Sequence, residues 1–218
     1  MSLPLKGERR DHLAEYVSQM DDPEGSLAVL MPRHAAYLAE AERLQQKYSS
    51  AATILVGFEG EWIRPGYGDL VSDLAADSRV DYFIGSLHHA GGVPIDFDKA
   101  FYAAAVDACG GTEAQLYASY YDEQHAMIST LRPRIVGHFD LVRLMSAEPA
   151  RRLEGWEDGG NDVWGRVVRN LKLVRSYGGW LECNTSALRK GLTDPYPCRE
   201  IAKVVLSQSR PACSGGLS

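Results

Sequence analysis

The chain has 218 residues, 45% apolar and 24% charged, a globular balance that sets aside collagen-like, coiled-coil and disordered classes. Its 23 Lys and Arg against 29 Asp and Glu give a formal charge of −6 with no basic cluster, which argues against nucleic acid as a partner. No run approaches the ~18 apolar residues of a membrane span, and no signal-peptide core opens the chain, so a cytoplasmic protein that does not engage a membrane is expected. Cys109, Cys183, Cys198 and Cys213 form no C-x-x-C pair, so reduced thiols are expected rather than a thiolate zinc site.

Residues 1–30 read as an irregular polar leader, closed by the turn-rich Asp21–Ser26. Tyr37, Ala41, Leu44 and Tyr48 recur at helical spacing and predict a helix from Pro32 to Tyr48, with Pro32 in its first turn. Two continuously apolar, β-branched segments, Ala52–Glu59 and Val80–His88, read as buried parallel strands flanking a short helix within Tyr67–Ser78. Helices follow at about Phe97–Ala108, capped by Asp96 or Asp98, and from Thr112 to Thr130, where Thr112-Glu-Ala-Gln115 is a capping-box pattern. Arg134–His138 reads as a strand and residues 146–161 as a surface insertion. Asn161 is expected to cap a helix that ends at Gly178-Gly179, before a strand Trp180–Asn184. A last helix starts near Pro197, and residues 207–218 read as a flexible tail. Strands alternating with helices place the chain in the α/β class with mostly parallel strands.

In barrels of parallel strands, functional groups stand at the strands' C-terminal ends. Here those ends carry Glu59, His88-His89, His138 with Asp140 beyond it, and Glu182 with Asn184. Glu and His converging without thiolates suit a divalent metal of nitrogen and oxygen preference. Gly57, Gly85 and Gly137 precede the first three ends, where small residues permit close backbone approach. His88 and His89 cannot both face inward if they continue one strand, because successive side chains alternate. There is no phosphate-binding glycine loop and no nucleophile elbow.

Eight stretches, among them Ile54-Leu-Val-Gly-Phe-Glu-Gly-Glu61, Ile84-Gly-Ser-Leu-His-His89, Gly92-Val-Pro-Ile-Asp-Phe-Asp98, Ile135-Val-Gly-His-Phe-Asp-Leu141 and Glu182-Cys-Asn-Thr-Ser-Ala-Leu-Arg-Lys190, spread over about residues 30–200. Together they resemble the histidinol-phosphatase family of the polymerase-and-histidinol-phosphatase (PHP) superfamily. The resemblance implies a distorted (β/α)7 TIM-like barrel, here partial, with 31–206 as an incomplete PHP-type domain. It implies a phosphoric monoester hydrolase of histidine biosynthesis that uses zinc, manganese or iron and acts on a small phosphate ester, L-histidinol phosphate. By motif position it implies Glu59, His88 and His138 as metal ligands, with Arg189, Arg143 and Asn184 toward the substrate and its phosphate. Asp140 and His89 are then expected behind the ligands, Asp140 orienting His138. The His-x-His, Thr-Glu-His and Asp-x-His motifs of the family do not occur in the sequence. A chain truncated at both ends is therefore expected, and a non-catalytic or degenerate member is the alternative reading, with a nuclease or phosphodiesterase of the same superfamily behind it.

Overall fold

The computed structural model describes residues 23–209. The chain divides into two compact units, 1–56 and 57–218. In the first, α1 (Pro23–Tyr48) runs nine residues further toward the N-terminus than its periodicity predicts, so part of the expected leader is helical. The reason is Pro23, whose fixed φ and missing N–H suit a first helical turn. Pro32 then lies inside the helix, where it removes one backbone hydrogen bond. After α1 the chain is tied back by Gln45, whose amide donates to the Ile54 carbonyl at 2.9 Å. Residues 1–22 of the expected leader and 210–218 of the expected tail lie outside the described residues.

The second unit is built on β1 (Gly57–Glu61), α2 (Tyr67–Ala75), β2 (Tyr82–Ser86), a hairpin of β3 (His89–Ala90) and β4 (Val93–Pro94), α3 (Lys99–Ala108) and α4 (Glu113–Leu131). It continues through β5 (Ile135–Val136), a 3-10 turn at Leu141–Arg143, the hairpin β6 (Glu157–Asp158) and β7 (Asn161–Asp162), α5 (Val163–Ser176), β8 (Trp180–Leu181), α6 (Ser186–Arg189) and α7 (Arg199–Ser209). The sheet order is β1-β2-β5-β8, and every neighbouring pair is parallel. The α/β class with parallel strands expected from the alternation is therefore present.

The strands are shorter than the apolar runs that predict them. β1 begins at Gly57 rather than Ala52 because its ladder partner begins at Tyr82. Its side chains alternate: Phe58 stacks on Phe83 with ring centroids 5.6 Å apart, and a Cβ on Gly60 would come within 2.8 Å of Val71 in α2. Glu59 and Glu61 occupy the opposite face.

α4 is buried on most of its circumference by Leu116, Tyr117, Tyr120, Tyr121, Met127 and Ile128. Thr112 caps it as predicted, accepting from the Gln115 amide, and Asp98 rather than Asp96 caps α3. Asn170 of α5 donates to the Tyr121 carbonyl and to Gln124 Oε1, locking α5 to α4. Asp162, not Asn161, caps α5: its carboxylate accepts the Gly165 amide at 2.7 Å, one residue further along the β6–β7 hairpin. The segment 146–161 is not a plain surface insertion. Leu153 is buried, Trp156 packs edge-on against Tyr117, and Glu200 of α7 accepts the Leu153 and Glu154 amides. Among the described residues Cys109, Cys183 and Cys198 are free, and no helix is long and apolar enough to cross a membrane.

Candidate metal centre

The three residues expected to ligate a metal come together. Ligand atoms of Glu59, His88 and His138 all lie within 4.8 Å of one another. Glu59 is carried by β1, His88 follows β2 by two residues and His138 follows β5 by two. Parallel neighbours with matched ends therefore deliver all three to one rim. His138 Nε2 stands 3.3 Å and His88 Nε2 3.9 Å from the same oxygen, Glu59 Oε1, and the two imidazole rings are 4.5 Å apart. The hydrogen bond from His138, with help from the Ser86 hydroxyl and the His88 charge, pulls the Glu59 carboxyl down to about 2. Two imidazole nitrogens and an ionised carboxylate are a donor set that suits zinc, manganese or iron and leaves positions open for water and substrate.

Backbone restraints bring His138 to this place. The Gly137 amide donates to the Gly85 carbonyl at 3.0 Å. A Cβ on Gly137 would lie 2.5 Å from Ser86 Oγ and 3.1 Å from Ile84, so the small residue expected before the strand end is required there. The next residue but one, Phe139, is buried, and its carbonyl accepts from Gln124 at 2.8 Å and from the Tyr120 hydroxyl at 3.3 Å. On the other side, Glu182 Oε2 accepts the His138 amide at 2.9 Å.

Glu61, which the strand-end pattern leaves outside the site, stands against both adjacent histidines. Its Oε1 accepts the His88 amide at 3.1 Å and faces His89 Nδ1 at 3.3 Å, while Oε2 hydrogen-bonds with His88 Nδ1. Burial alone would raise the Glu61 carboxyl, but the charges and hydrogen bonds of His88 and His89 hold it at about 2. Burial likewise opposes a charge on His88, and Glu61 overrides it and lifts the imidazole to about 9. The signal was its spacing two residues from Glu59, which puts both on one face of a strand. The alternation expected to separate His88 from His89 does not apply, because β2 ends at Ser86 and His89 opens β3.

The other expected site residues lie elsewhere. Asp140 does not orient His138: it is buried, pairs with Arg143 Nε at 2.9 Å and accepts the Cys198 amide at 2.8 Å. Burial, resisted by Arg143, leaves its carboxyl above the usual range. Arg143 is not available to a phosphate. It is 4% exposed, donates to the Asp194 and Pro195 carbonyls and lies over the Tyr196 ring. These contacts strap residues 194–198 to the loop after His138. Asn184 is engaged on both sides, donating to Glu182 Oε1 at 3.0 Å and accepting the Ser186 amide at 2.9 Å. Its backbone bridges that of Tyr196. Arg189 is exposed at the end of α6.

A family model described as the PHP domain matches residues 28–186. The chain belongs to the PHP domain family. This PHP chain is 37% identical over 172 residues to a probable histidinol-phosphatase of Schizosaccharomyces pombe, covering 79% of this chain and 55% of the relative. It is 27% identical over 208 residues to the histidinol-phosphatase of Saccharomyces cerevisiae, covering 84% and 62%. It is 24% identical over 184 residues to a probable histidinol-phosphatase of Deinococcus radiodurans, covering 82% and 62%. The chain thus spans between about half and three-fifths of the length of these relatives.

Proposed function

We propose that this PHP chain is a metal-dependent phosphoric monoester hydrolase whose substrate is L-histidinol phosphate, acting in the cytoplasm. We infer further that its parallel sheet is part of the family's (β/α)7 barrel. The carrying observation is the convergence of Glu59, His88 and His138 from three adjacent parallel strands onto a cluster of ligand atoms within 4.8 Å. The names of the relatives supply the substrate.

The chemistry supplied by a divalent cation at this cluster is a water of lowered pKa and positive charge against phosphoryl oxygens. Zinc, manganese and iron all match the donor set. Glu59 brings a negative charge, and the imidazoles of His88 and His138 would each give one nitrogen lone pair to a bound cation. Arg189 is the residue we place on the phosphate. It stands exposed at the end of α6, and a guanidinium presents paired donors that match two phosphoryl oxygens. Asn184 serves indirectly, by holding Glu182 behind His138.

The test is phosphate release from L-histidinol phosphate by the chelator-treated chain after adding zinc, manganese, iron or cobalt. Turnover that depends on metal and falls about a hundred-fold or more in His138→Ala is expected. No turnover with any of the four metals would overturn the activity, and faster hydrolysis of single-stranded DNA would overturn the substrate.

A further inference from the structure

Both histidines of the cluster lie just past the ends of their strands, and the ladder no longer supplies a carbonyl for their backbone amides. In each case a carboxylate from the neighbouring strand takes that role. Glu61, the last residue of β1, accepts the amide of His88 beyond β2 at 3.1 Å. Glu182, one residue past β8, accepts the amide of His138 beyond β5 at 2.9 Å. Two unrelated pairs of strands therefore use one device, and neither carboxylate is among the three residues that converge on the cluster.

The second oxygen of each carboxylate is also committed. Glu61 Oε2 bonds His88 Nδ1, which leaves Nε2 as the nitrogen aimed toward Glu59. Glu182 Oε1 receives the Asn184 amide, which fixes the carboxylate that in turn fixes His138. A buried or half-buried carboxylate that binds through both oxygens has one favoured orientation, and a histidine held by backbone and ring together has few rotamers left to lose on binding.

We propose that Glu61 and Glu182 are positioning residues of the metal centre: each anchors a ligand histidine by its backbone amide, and Glu61 also selects Nε2 of His88 as the metal-binding nitrogen. The proposal rests on reading the cluster as a metal site and adds the residues that set its geometry. Glutamine is the informative replacement, because it keeps the size but offers one oxygen where glutamate offers two. In Glu61→Gln the single oxygen cannot serve both the His88 amide and the His88 ring. In Glu182→Gln it cannot serve both the His138 amide and Asn184.

Cobalt affinity of the full chain, measured by chelator competition, is the first readout. A loss of about ten- to a hundred-fold is expected for Glu61→Gln and for Glu182→Gln. Glu200→Gln, whose carboxylate also holds backbone amides but far along the chain from the cluster, should bind as the unaltered protein does. If either glutamine variant does not fold, Glu61→Asp and Glu182→Asp withdraw the carboxylate by one methylene and should show the same loss. The second readout is the ring-proton NMR spectrum of the zinc-loaded chain. A protected proton on His88 Nδ1 is expected, lost in Glu61→Gln and kept in Glu182→Gln. Unchanged affinity in folded Glu61→Gln and Glu182→Gln, or a zinc-loaded His88 with no proton on Nδ1, would overturn this proposal alone. Failure of the unaltered chain to take up any metal would overturn the metal-site reading along with it.

Discussion

Ionised groups around His88 make the metal-free protein sensitive to pH in both directions. Glu61 is held at about 2 against an ordinary 4.5, so its contribution to stability is full above 4.5 and disappears as pH falls toward 2. His88 is held at about 9 against an ordinary 6.5, so its contribution is full below 6.5 and disappears as pH rises toward 9. The pair therefore stabilises most between 4.5 and 6.5. Urea midpoints of the metal-free chain should fall on both sides of that window, and Glu61→Gln should flatten the alkaline side. Gly137 gives a second test at this scale. Gly137→Ala forces a methyl to within 2.5 Å of the buried Ser86 hydroxyl. A loss of about 1–3 kcal/mol in unfolding free energy, with weaker cobalt binding, is expected. Of the site itself, Glu59, His88 and His138 were legible because each is a polar group ending an apolar run. Glu61 was not, because the motif gives its spacing but not the partner that burial and the strand end bring to it. Arg143 and Asp140 misled for the opposite reason: a charged pair three residues apart reads the same whether it faces a substrate or locks a loop.

At the scale of elements, the strap at residues 194–198 depends on that pair. Arg143→Leu removes two hydrogen bonds to carbonyls and leaves the Asp140 carboxylate buried without its cation. A destabilisation of about 3 kcal/mol is expected by denaturant titration, and Arg143→Leu with Asp140→Leu should recover part of it. The longer helices of the second unit were legible because periodicity marks them, and in α3 and α4 the caps agree, at Asp98 and Thr112, whereas the single turn Ser186–Arg189 was not. Strand lengths were not. Apolar runs such as Ala52–Glu59 report which residues prefer burial, whereas a ladder ends where its partner does, and β2 offers partners only from Tyr82 to Ser86. The start of α1 was misplaced for a related reason: two prolines nine residues apart each fit a first turn, and the local pattern favours the one nearer the periodic stretch.

At the scale of the whole molecule, a metal held by Glu59, His88 and His138 would couple to folding, because these residues are brought together by three separate strands. A cation at 100 times its dissociation constant should stabilise the chain by about 2.7 kcal/mol, seen as a rise in melting temperature with added zinc or manganese and its reversal by chelator. His138→Ala should lose most of that rise while Arg189→Ala keeps it, which separates the metal cluster from the residue placed on the phosphate. The two-residue spacing of Glu59 and Glu61 has a further consequence. Because one strand face holds both the ligand and the residue behind its neighbour, adding or deleting a residue of β1 ahead of Glu59 would turn both carboxylates toward α2, and a change between Glu59 and Glu61 would put them on opposite faces. Substitutions can weaken this centre by degrees, but a change of length in β1 abolishes it in one step. Homologous chains that keep the chemistry should therefore vary β1 in sequence and never in length.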